Sequence, residues 1–159
     1  MRFLDTIIMN EKEINRIVQT YSDMLLRIAF QYTHSKEVAE DCVQDCFFKL
    51  IKTEKFKSEE HLKAWLIRVI INRCKDELKS SYRQVSRLDD NYADPSSDKG
   101  SLKTELSRLT PLEQNIIYLY YYENYKLKEI AKIYKKSENA VTIILSRARH
   151  KLKEFMMEE

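Results

Sequence analysis

Nine lysines and arginines fall between Lys126 and Lys153 against only Glu129 and Glu138, a local charge of +7. Cations at that density do one kind of chemistry well: they attract a phosphate backbone whatever its sequence. They lie in YKLKEIAKIYKKSENAVTIILSRARHKLK, residues 125–153, whose apolar residues are spaced for two short helices. Ile130, Ala131 and Ile133 give the first an apolar face. Val141, Ile144, Leu145, Ala148 and Leu152 repeat at helical spacing in the second. Ser137 is a good N-cap, because its hydroxyl can accept a free backbone N–H of the next helix. Ala131 is small where two steeply crossing helices must approach closely. Charge alone fits a solvated basic helix pair. Spacing, cap and charge together predict a helix-turn-helix whose second helix enters the DNA major groove.

A second basic segment precedes it. Residues 61–87 carry seven basic and two acidic groups, whereas residues 1–60 carry nine basic and eleven acidic ones. Two basic segments separated by acidic ones suggest two contact surfaces for a polyanion. Lys63, Arg68, Asn72, Arg73, Lys75 and Lys79 populate a helix whose apolar edge is Leu62, Trp65, Leu66 and Val69. The loop before it, TEKFKS, is basic with one aromatic, Phe56. Cations that follow phosphates and rings that stack on bases suit single-stranded nucleic acid. Trp65 by itself reads better as core than as a stacking platform.

A third pattern is not basic. The helix from Lys36 to about Lys52 carries two stripes. Val38, Cys42, Cys46 and Leu50 make an apolar core face. Asp41, Gln44, Asp45 and Phe48 make an acidic, amide and aromatic face. Phe48 either tucks into the core or exposes apolar area that a partner covers.

Other chemistry is missing. There is no nucleophile–base pair, no glycine-rich phosphate loop and no metal constellation, so no catalytic residue, cofactor, metal or small-molecule substrate is expected. His34, His61 and His150 stand far apart. Cys42, Cys46 and Cys74 lack paired CxxC spacing and read as reduced core thiols, with a redox or metal role the minor reading. No signal peptide and no run of apolar residues long enough to span a bilayer is present, which points to a cytoplasmic chain.

These surfaces need elements to hold them. One Gly and two Pro in 159 residues argue against an all-β fold. A clean helical stripe runs from Ile14 to Tyr32, and Ser35 and Ser58 can cap the following helices. Residues 87–101, RLDDNYADPSSDKGS, lose all periodicity and read as a flexible linker. Beyond them, Leu102, Leu106 and Leu109 form a short helical edge. Thr110, Pro111 and Glu113 form a capping box for a helix carrying Ile116, Ile117, Leu119 and Tyr120. The expected architecture is all-α: two small helical domains, 1–86 and 102–159, joined by the linker, the second containing the helix-turn-helix.

Three stretches in order and spacing, AEDCVQDCFFKL, FKSEEHLKAWLIRVIINRCKDEL and LTPLEQNIIYL with LKEIAKIYKKSENAVTIILSRARHKLK, resemble extracytoplasmic-function sigma factors of the sigma-70 superfamily. The resemblance covers about Glu13 to Phe155. It implies an alternative sigma factor that binds core RNA polymerase and directs promoter-specific transcription initiation, with promoter DNA and an anti-sigma factor as further partners. It further implies that Asp41, Gln44, Asp45 and Phe48 dock on the polymerase. Phe56, Lys57, Ser58, His61, Lys63, Arg68, Asn72 and Arg73 then stand at or near positions that melt and capture the −10 element. Ser137, Asn139, Thr142, Ile143, Ser146 and Arg147 match the helix that reads the −35 element, with Arg149 and Lys151 as phosphate contacts.

The chain departs from the family where Lys135 stands in place of the usual turn glycine and Lys136 in place of an aliphatic. Ile143 and Ile144 replace polar or basic residues, which shifts groove contact toward thymine methyls. The rival is a stand-alone helix-turn-helix regulator of the response-regulator output type. The AEDCVQDCFF helix, and the missing α/β alternation of a receiver, argue against it.

Overall fold

A computed structural model of the chain describes residues 10–53, 56–85 and 108–158. Among them all regular structure is helical. The chain divides into two compact units, Met1–Leu88 and Asp89–Glu159. The expected linker, and Leu102 and Leu106, lie outside the described residues.

The first unit holds α1 (Glu11–Thr33), α2 (Lys36–Ile51) and α3 (Glu59–Val85), each packed on the other two. Side chains start the helices. Asn10 accepts the Lys12 N–H, Ser35 Oγ accepts the Val38 N–H at 3.3 Å, and Ser58 Oγ accepts the His61 N–H at 3.1 Å. His34 ends α1 in the left-handed region with φ 51°, returning its N–H to the Phe30 carbonyl. The core is the expected stripes closing on one another. Ile17, Leu25 and Ile28 meet Cys42, Cys46 and Leu50, together with Leu66, Ile67 and Ile70 from α3, all fully buried. The apolar edge of α3 differs from the expected one. Leu62 and Leu66 are buried, but Trp65 and Val69 are only half-buried, and Ile67, Ile70, Ile71 and Cys74 complete the core face. All three thiols are free and buried, and burial pushes Cys46 up to about 12. Arg16 of α1 donates to Glu59 at 3.1 and 3.2 Å, and the Tyr21 hydroxyl donates to the same carboxylate, tying the start of α3 to α1.

The second unit holds α4 (Pro111–Tyr121), α5 (Leu127–Tyr134) and α6 (Glu138–Met157), which pack pairwise. The capping box forms as expected. Thr110 Oγ1 accepts the Glu113 N–H at 3.2 Å, and Glu113 accepts the Thr110 N–H at 3.1 Å, with Pro111 in the first turn. Ile116, Leu119, Ile130, Val141, Leu145 and Ala148 are fully or almost fully buried. Lys135 ends α5 with φ 54°, a conformation that favours glycine, and Ser137 then caps α6 by accepting the Ala140 N–H at 3.0 Å.

Candidate nucleic-acid and protein interfaces

The recognition-type helix comes first. Val141, Leu145 and Ala148 turn α6 onto α4 and α5, so the opposite arc must face out. At 100° per residue that arc centres on Ile143, with Asn139, Ser146 and Arg147 beside it and Lys153, Thr142 and Arg149 on one flank. All of these are exposed, Ile143 to 46%. Ile144, one residue on, is half-buried, so only one of the paired isoleucines is offered outward. Thr142 spends its hydroxyl proton on the Glu138 carbonyl at 2.9 Å, which leaves its methyl and oxygen lone pairs for a base edge. The Arg149 guanidinium stands 6.0 Å from the Tyr121 ring, held over an aromatic face at the edge of the arc. Lys151 is different. It lies about 180° from Thr142, and its Nζ donates to both Glu113 oxygens at 3.1 and 2.9 Å. The structure gives it an intramolecular carboxylate where a phosphate contact was expected.

The second surface is α3 and its leading loop. Phe56 folds back over the helix start, its ring centroid 5.4 Å from that of His61 and 5.2 Å from that of Trp65. The Lys57 N–H donates to His61 Nδ1 at 3.3 Å, which fastens the loop to the first turn. His61, Trp65, Arg68, Asn72, Lys75 and Lys79 follow at steps of three and four residues and form one row opposite the core. Two rings, then a cation, an amide and two more cations stand in line. Arg68 Nε is buried and has no hydrogen-bond acceptor in the structure. Lys75 and Lys79, counted from sequence among the basic residues of this helix but not among the −10 contacts, belong to this row, as does Trp65, which read as core. The helical step from His61 was the signal that could have found them. Lys63 and Arg73 lie off the row on the core-ward flanks. Arg73 Nε donates to Asp45 at 2.7 Å and its Nη1 to Glu77 at 2.9 Å.

The third surface is the second stripe of α2. Asp41, Gln44 and Phe48 are exposed, and Asp45 is half-exposed beside them. Phe48 does not tuck into the core: 61% of it is open to solvent, and Ile51, one turn on, is 40% exposed. Phe48 and Ile51 thus leave apolar area open on a helix whose core face is already filled. Among the described residues no helix is long and apolar enough to cross a membrane, and no group of three or more His, Cys, Asp or Glu could hold a metal ion.

Comparison with known proteins gives two family matches in chain order: Sigma-70 region 2 over residues 17–84, and Sigma-70, region 4 over residues 106–154. The chain is 25% identical over 158 residues to RNA polymerase sigma factor YlaC of Bacillus subtilis, covering 90% of this chain and 91% of that one. It is 26% identical over 151 residues to ECF RNA polymerase sigma factor SigM of the same organism, covering 88% and 93%. Among solved structures, the sigma factor RpoE in complex with the anti-sigma factor NepR from Bartonella quintana shares the fold. The TM-score is 0.75 at 23% identity, over 92% of this chain and 98% of that one.

Proposed function

The chain belongs to the sigma-70 family of RNA polymerase sigma factors, in its extracytoplasmic-function group, and from that premise we propose how its surfaces divide the work of initiation. It is an alternative sigma factor that binds core RNA polymerase and directs promoter-specific transcription initiation. The docking surface is the α2 row of Asp41, Gln44, Asp45 and Phe48. The −10 element is melted and captured by the Phe56–Ser58 loop and the α3 row of His61, Trp65, Arg68, Asn72, Lys75 and Lys79. There, unpaired bases stack on rings while cations follow the displaced strand. The −35 duplex is read by α6. Ser137 sets the start of that helix, Asn139, Thr142, Ile143, Ser146 and Arg147 face the groove, and Arg149 meets a phosphate. The domains doing this work are 1–86 and 102–159, with 87–101 as the tether.

The observation that carries this division is Phe48. An exposed phenylalanine in an acidic row is a poor feature for a domain that only has to stay in solution, and a good one for a hydrophobic anchor with a polar rim. The chain acts in the cytoplasm, performs no catalysis itself and needs no cofactor or small-molecule substrate. An anti-sigma factor is a further partner, as the Bartonella protein has in its crystal. A stand-alone helix-turn-helix regulator is not favoured, since it gives no role to the region 2 match or to the α2 row.

The test is a binding measurement with core polymerase. Asp41→Arg with Phe48→Ala leaves the Asp45–Arg73 pair in place. It should weaken the complex by about 2 kcal/mol or more, roughly thirtyfold, with unchanged circular dichroism. Wild-type affinity in that variant removes α2 as the docking surface.

A further inference from the structure

Arg73 stands where two surfaces meet, on the helix given to DNA but off its outward row. We propose that Arg73 is a positioning residue for polymerase docking rather than a DNA contact: it holds the Asp45 carboxylate in place within the α2 row. The inference rests on the reading of that row as the docking surface.

Three observations carry it. The first is direction. From Asn72, which is exposed on the outward row, one residue turns the helix by 100°, and this carries Arg73 toward α2. The contact confirms it, because Nε of Arg73 reaches Asp45 Oδ2, 28 residues earlier in the chain, at 2.7 Å. The second is occupancy. The guanidinium fork presents its donors along fixed edges, and here Nε is used by Asp45 and Nη1 by Glu77 at 2.9 Å. Its two inward edges are thus held by carboxylates that offset its charge, while Lys79, six residues further on, stands exposed on the outward row. The third is the asymmetry of exposure. The Arg73 side chain is 26% exposed and that of Glu77 28%, but 49% of Asp45 remains open. The arginine and glutamate are the half-sunk base, and the aspartate is what the base presents. An aspartate already fixed in one rotamer loses less freedom when a partner's donor meets it.

The competing account is a pair that merely ties α2 to α3. A charge swap separates the two, because Asp45→Arg with Arg73→Asp restores an ion pair between the helices but reverses what the row presents. The experiment measures the affinity of the fluorescently labelled full chain for core polymerase, without DNA. Thermal stability is followed in parallel, and promoter opening is followed by permanganate reactivity across a range of core concentrations.

Arg73→Ala is expected to weaken core affinity roughly fivefold or more and to add little to Asp45→Asn, the non-additivity of groups acting as one unit. Arg73→Lys recovers part of the affinity. The swap recovers thermal stability without recovering core affinity. The opening defect of Arg73→Ala disappears as core becomes saturating. Wild-type core affinity with opening slowed at every core concentration overturns the proposal and returns Arg73 to the DNA. A swap that restores stability and core affinity together overturns it as well, leaving only a tie between helices. If Asp41→Arg with Phe48→Ala also binds core normally, the docking reading itself has failed. If that variant is defective while Arg73→Ala is not, only the present inference falls.

Discussion

Replacing Lys151 by methionine tests whether this lysine serves DNA or the fold. The Glu113 side chain is 9% exposed and accepts Lys151 Nζ at 2.9 and 3.1 Å, while that of Lys151 is 47% exposed. Removing one partner of a fully buried pair costs about 3–5 kcal/mol, and an exposed pair is worth about 0–1. Half the pair is wet here, and Thr110 still gives the carboxylate its N–H at 3.1 Å and its hydroxyl at 3.0 Å. The cost should therefore lie near 1.5 kcal/mol after screening, a fall in the Tm of the C-terminal unit of roughly 6–12 °C. Burial pushes Glu113 up, but Lys151 and then the Thr110 N–H and hydroxyl outweigh it and hold the carboxyl below its ordinary 4.5. A depressed carboxylate stabilises the fold above its unfolded pKa, and that stability is lost as pH falls through the folded one. The gap between wild type and Lys151→Met should therefore be full at pH 7 and close as pH falls below the ordinary carboxyl value of 4.5 and through the lowered folded one. Tyrosine near-ultraviolet dichroism follows the C-terminal unit through the tyrosines from Tyr118 to Tyr134, with Tyr21 and Tyr32 of the first unit adding a separate transition. The fluorescence of Trp65, the single tryptophan, reports the other unit and should not shift. At a temperature where the variant is folded, its log–log salt slope for promoter DNA should match wild type. A Tm within about 2 °C of wild type, or a salt slope smaller by about 1, would refute the assignment and return Lys151 to the phosphates.

Two further outcomes follow from backbone and burial. Lys135→Gly should stabilise the chain by about 0.5–1 kcal/mol in chemical denaturation, because Lys135 holds φ 54° at a helix end where glycine meets no Cβ penalty; a loss of stability would contradict this. The native protein at pH 8 should react with a thiol reagent orders of magnitude more slowly than in denaturant, where all three cysteines become available, since Cys42, Cys46 and Cys74 are buried and burial raises each thiol. Fast native labelling of even one thiol would show that the first unit opens far more readily than its packing implies.

What could be read in the sequence, and what could not, divides by the range of the interaction. Helix starts were legible because a cap is local: Ser35, Ser58, Ser137 and Thr110 each bond a backbone N–H three residues on. Core faces were legible wherever one stripe dominated, as in α1, where Tyr21, Leu25, Ile28 and Tyr32 are buried as their spacing required. The edge of α3 was misread because Leu62, Trp65, Leu66 and Val69 form one periodic set while Ile67, Ile70 and Ile71 form another. A helix clasped by both α1 and α2 buries the wider face, which leaves Trp65 at the rim. The ion pairs were invisible for a different reason. Arg73 with Asp45 and Lys151 with Glu113 join residues 28 and 38 positions apart, a separation that follows from how helices pack and leaves no period in the chain. A basic residue counted toward DNA from sequence is therefore a ledger of two kinds of cation, and only the packing sorts them. Those on the outward side of their helix, such as Arg147 and Lys79, keep their charge for a polyanion. Those on the flank meet a carboxylate first and act on the fold, or through it on the neighbouring surface.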